Sequence, residues 1–207
     1  MSGFFVSIFS CYNQNERMIK GSDTMRGKET RERILEAAIK VISDETIEGL
    51  STRKVSSEAN VNLAAIHYHH RSKEGMLIDL ARYLMMNYIT PKLESCMVNG
   101  KKPKELFADI YRSIESLYDE NPEVLISFVY LWLHGRKSRR IKEIILNSRE
   151  ELTEKLITKL TNHMSLKRAK KVSRRFNNQL FGYILDLTVV GEKLPEKEVN
   201  ELAARLA

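Results

Sequence analysis

With 207 residues, 43% of them hydrophobic and 29% charged, the chain can bury a sizeable core as one domain or two small ones. Its net charge of +7 is unevenly placed: residues 26–90 hold ten basic and nine acidic residues, whereas residues 101–175 hold eighteen and ten. No run approaches the roughly 18 apolar residues of a membrane span, and with only four prolines, nine glycines and no alternating apolar/polar runs the expected fold is all-α.

Residues 1–24 do not share the pattern of the rest. GFFVSIF is apolar but lacks the basic flank and small-residue cleavage site of a signal peptide. MIKGSDTM reads as a loop, with Met18 and Met25 as alternative starts, so 1–24 is expected to be a disordered or non-native leader. Cys11 and Cys96 sit far apart without metal-ligand spacing, and are read as free thiols of a cytoplasmic protein.

From Thr30 a helical period is clear. Ile34, Leu35, Ala38, Ile39, Val41 and Ile42 form one face, with Arg31, Glu32, Glu36 and Lys40 outside it. Gly49 marks a turn, and the hydroxyl of Ser51 or Thr52 can cap a second helix of about Thr52–Ala59, with Val55 and Ala59 inward. Asn60 tolerates the left-handed backbone of a tight bend, Val61 plugs it, and Asn62 caps a short third helix, Leu63–His69, with Ile66 inward. Two short helices around a tight turn, after a supporting helix, are the form of a helix-turn-helix DNA reader.

The segments TRERILEAA, GLSTRKVSSEANV and AAIHYHHRSKEGML, in this order across residues 30–80, resemble the TetR family of transcriptional regulators. The resemblance implies a three-helix DNA-binding domain at 25–72 and a helical ligand-binding and dimerisation domain at 73–207. It also implies a homodimeric repressor that binds a palindromic double-stranded operator and is released by a small-molecule effector. Three residues depart from the family pattern: Asn60 stands where Gly is usual, His67 where Tyr or Asn is common, and His70 where a Phe packs the end of the third helix. A buried His70 needs partners for its ring nitrogens.

Within this motif the candidate DNA-binding residues are Thr52, Arg53, Asn62, Leu63, Ala64, His67, Tyr68 and Lys73. Arg53 suits a phosphate or a guanine edge, Leu63 and Ala64 a thymine methyl, and His67 and Tyr68 offer donors. Lys73, at the start of the fourth helix, suits a phosphate. His67 and His70 are also spaced to chelate a metal, but no Cys or carboxylate beside them completes a site, so no metal or other cofactor is expected.

The fourth helix should run from Ser72 or Lys73 to about Ile89, with Pro91 bending or restarting it. Further helices are expected at 103–119, 122–134, 138–163, 167–190 and 195–206. LISFVYLWL, residues 125–133, is apolar all round and should lie inside. Phe107, Tyr111, Phe128 and Trp132 are the candidate lining of an apolar ligand pocket. The helix at 167–190 has two apolar stripes: Val172, Phe176, Leu180, Ile184 and Leu187 on one side, Phe181, Leu185 and Val189 on the other. Such a helix needs two partners, so Phe176, Leu180, Phe181, Ile184 and Leu185 are candidates for a dimer interface. The basic runs RKSRR (136–140) and KRAKK (167–171) are solvated surface that can add salt-sensitive attraction to DNA. No catalytic constellation appears, so an enzyme is not expected. The alternative to a regulator is a helical ligand- or protein-binding module that no longer reads DNA, favoured by the near-neutral charge of 26–90 and by His70 and Asn60.

Overall fold

The structure, a computed structural model, describes residues 25–206; the expected leader, with Cys11, lies outside them. The described residues form α-helices and one π-helical turn, with no strand. Helix α1 (Met25–Gly49) starts five residues before Thr30 and is interrupted at Thr46, whose φ of 67° breaks the ladder and swings Ile47 back into the core. α2 (Thr52–Glu58) and α3 (Leu63–His70) follow.

The fourth expected helix is a rod in three parts. α4 (Lys73–Leu84) passes through a π turn, Met85–Ile89, into α5 (Thr90–Cys96). Pro91 sits at the start of α5, where a missing N–H costs least. Beyond it come α6 (Pro103–Glu120), α7 (Pro122–His134), α8 (Arg139–Leu160), α9 (Leu166–Val190) and α10 (Glu196–Leu206).

One continuous core joins these helices. α1 packs on α2 and α3 and also lies along α7, where the fully buried Ser127 donates its Oγ hydrogen to the Ile39 carbonyl at 3.0 Å. α8 and α9 run side by side, joined by Arg149 to Asn178 at 3.2 Å and Asn177 to Thr153 at 2.7 Å. α10 covers α6. The end of α7 differs from its expected burial: Val124 to Leu131 supply core residues, but Trp132 and Leu133 lie on the surface. No helix among the described residues is long and apolar enough to cross a membrane.

Candidate nucleic-acid interface

The reader is built from caps and one tight bend. Ser51 caps α2, its Oγ accepting from the Lys54 amide at 3.2 Å, so a helix start that would leave free N–H groups is partly satisfied. Asn60 takes φ 49°, the left-handed backbone the bend requires, and the Val61 amide returns to the Ser56 carbonyl at 3.0 Å. Asn62 caps α3 by accepting from the Ala64 amide at 2.9 Å. Val55, Ala59 and Ile66 lock both helices onto α1.

That packing decides what faces out. Asn62, Ala64, His67 and Tyr68 are exposed, and Ala64, His67 and Tyr68 fall on one helical face at spacings of three and four. Tyr68 is a large aromatic side chain, 70% exposed, whose ring meets that of His69 edge-on at 5.0 Å. Leu63 and Thr52 are half-buried at the edge of this face, and Arg53 is exposed at the start of α2. Its neighbour Lys54 is held by Glu45. Lys73 is different: its ammonium donates to the Ile47 carbonyl at 2.7 Å and to the Leu50 carbonyl at 2.6 Å. It ties the first turn of α4 to the end of α1, with one hydrogen left for any phosphate.

His70 finds its partner on another helix. The ring is buried, and Nδ1 donates to Asp79 of α4 at 2.9 Å. Asp79 also meets Arg31 at 3.1 Å and Arg82 at 3.3 Å, and Nε2 of His70 makes no hydrogen bond among the described residues. Burial pushes the Asp79 carboxyl up, but the His70 hydrogen bond and the Arg31 charge outweigh it and hold it below its ordinary value. α4 approaches this closely because residue 75 is glycine: a Cβ there would sit 2.1 Å from the His70 carbonyl oxygen. Arg31 and Glu36, expected on the outer face of α1, are in fact turned onto α4. Glu36 accepts from Tyr83 at 2.5 Å and from Tyr88 at 2.7 Å, and both phenols are pushed up by burial and by that carboxylate, Tyr88 to about 12. Asp79, Gly75 and Glu36 were missed in the sequence; only the polar demand of His70 pointed towards the first of them.

Residues 34–80 match the family model described as bacterial regulatory proteins, tetR family. Through this segment the chain is similar to the tetR family. It is 27% identical over 130 residues to the HTH-type transcriptional repressor NicS of Pseudomonas putida. That match spans 60% of each protein. It is 26% identical over 102 residues to YttP of Bacillus subtilis, 49% of each. The chain thus covers about half to three fifths of these relatives' lengths. Among solved structures, a TetR-family protein of Streptomyces coelicolor A3 superposes with a TM-score of 0.66 at 21% identity, over 86% of this chain and 98% of that one. The multidrug binding protein EbrR, complexed with imidazole, gives 0.62 at 20% identity over 85% and 93%.

The candidate residues in the helical body do not gather as expected. Phe107 and Tyr111 are fully buried and packed on Phe176, with ring centroids 4.6 and 5.6 Å away. Phe128 is buried, but Trp132 lies on the other side of α9, stacked on Phe181 at 4.3 Å. Trp132 therefore does not share a cavity wall with Phe107 and Tyr111. Two buried hydroxyls in the body, on Tyr111 and Ser173, make no hydrogen bond among the described residues. Desolvation alone pushes the Tyr111 phenol up to about 12.

The two stripes of α9 separate cleanly. Phe176, Leu180 and Ile184 are buried in the chain's own core with Val172 and Leu187, so they cannot also meet a second copy. Phe181 is half-covered by Trp132, while Leu185 is 40% and Val189 77% exposed.

Proposed function

We propose that this chain is a sequence-specific, DNA-binding transcriptional regulator of the TetR type, working as a homodimer on a palindromic double-stranded operator. In this reading residues 25–72 form the DNA-binding domain and the helices from Lys73 onward form the ligand-binding and dimerisation domain. The observation that carries it is the uncovered row Asn62, Ala64, His67 and Tyr68 on a short helix whose other face is fully locked in the core. A polar and aromatic row of this width fits a major groove, with Arg53 beside it for a phosphate or a guanine edge. Eight residues of α3 can touch only a few base pairs, so a second copy is needed to build specificity.

The exposed strip of Trp132, Phe181, Leu185 and Val189 supports a dimer through α9. The repressor named among its relatives, and the ligand-bound EbrR, support a repressor released by a small effector. The unpartnered hydroxyl of Tyr111, whose ring packs against Phe176 and Tyr183, offers that effector a hydrogen bond within an apolar setting. Gel-shift titration against genomic fragments tests the reading. Some fragments should bind at least a hundredfold more tightly than random duplex, and a uniform affinity for all DNA would overturn it.

A further inference from the structure

The basic excess of this protein lies outside the reader, and the fold brings one part of it back. The turn between α7 and α8 and the first residues of α8 carry Arg136, Lys137, Arg139 and Arg140, all exposed. Three contacts fix this turn against the reader's edge. Lys137 pairs with Glu48 at 3.3 Å, three residues before the α2 cap. Ser138, itself buried, donates to Glu74 in the first turn of α4 at 2.5 Å, and His134 lies 3.7 Å from the same carboxylate. Both Glu48 and Glu74 are thereby occupied. Arg136 and Arg140 have no acidic partner among the described residues, and Arg139 meets only Glu143 while remaining 91% exposed. Such an exposed pair holds the arginine weakly.

We propose that Arg136, Arg139 and Arg140 form a second surface for the DNA backbone, meeting phosphates that flank the half-site read by α3. The proposal rests on the DNA-binding reading above and adds where the phosphate charge is met. The reader's own net charge of +1 is too small to supply the electrostatic share of operator binding alone. Placement, not net charge, makes this turn the candidate. The other basic run, at 167–171, begins α9 beyond the far end of α8, whose 22 residues span about 33 Å. Screening at physiological salt acts over about 8 Å, so that run contributes little at the reader.

The test compares two variants of equal net charge in the full chain: Arg136→Gln/Arg139→Gln/Arg140→Gln, and Lys167→Gln/Lys170→Gln/Lys171→Gln. Affinity for a bound genomic fragment and for random duplex is measured across a salt series. The first variant should lower the slope of log affinity against log salt by about two or more per dimer, and weaken both DNAs by the same factor. The second should keep the wild-type slope. Equal slopes for the first variant and wild type, or equal losses in both variants, overturn the proposal while leaving the DNA-binding reading standing. Wild type that binds no duplex removes both. A thermal melt of each variant excludes unfolding, and Arg136→Gln/Arg140→Gln, which spares the Glu143 pair, gives the same answer should the triple variant fold poorly.

Discussion

Lys73 uses two of its three ammonium hydrogens on the carbonyls of Ile47 and Leu50. A lysine at a helix start reads in sequence as a phosphate ligand, because nothing local betrays two carbonyls more than twenty residues upstream. Removing it leaves two half-buried acceptors without a donor, at about 1 kcal/mol each. Lys73→Ala should therefore lose about 2 kcal/mol in urea denaturation, and its DNA affinity should be judged only after that loss is measured. Asp79 carries a second prediction. Its carboxyl is held below its ordinary value in the folded chain. Such a group adds stability that is present above the ordinary carboxylate range and is lost as pH falls through the lowered value. The melting temperature should drop on acidifying below about pH 4, and Asp79→Asn, less stable at neutral pH, should show a flatter decline. That His70 would need a partner was legible; that Asp79 would be it was not, since the pairing depends on how α4 is rotated against α3.

At the scale of elements, α4 settles that rotation. In an ordinary helix Tyr83 and Tyr88, five apart, would point about 140° away from each other. The π turn at Met85–Ile89 holds one more residue in its turn and brings both hydroxyls onto Glu36, so α1 and α4 are clamped at two points. Periodicity places Glu36 outside because it shows only one core face of α1, and nothing in the sequence of α1 shows α4 crossing its flank. Gly75 is the other determinant. Ala in its place gains up to about 1 kcal/mol of helix propensity, but its Cβ meets a backbone oxygen at 2.1 Å that has no side-chain freedom to yield. Gly75→Ala should cost a net of about 2 kcal/mol and loosen α3, visible as faster amide exchange from Ile66 to His70; an unchanged melt would count against the close approach. α9 was the most legible element, because two stripes at helical spacing need two partners whatever those are. Which stripe turns inward was not, since both are apolar and only the packing of Phe176 on Phe107 and Tyr111 decides it.

For the whole molecule, the all-helical order and the helix-turn-helix followed from spacing, caps and the Asn60 bend. The pocket did not, because Phe107, Tyr111, Phe128 and Trp132 share a composition and not a place. The proposed dimer rests on the outer stripe of α9. Leu185→Lys/Val189→Lys alters two exposed positions, so the fold should hold while sedimentation shows a monomer and DNA affinity collapses. A variant that stays dimeric would move the interface elsewhere. The central claim is that two copies of α3 read DNA together, and footprinting on a bound genomic fragment tests it most directly. The account predicts a protected region with two-fold symmetry, its half-sites centred about one helical turn or a whole multiple of it apart, lost when Arg53→Ala or Tyr68→Ala is used at the same concentration. An unbroken, sequence-independent protection, or one indifferent to both substitutions, would contradict it.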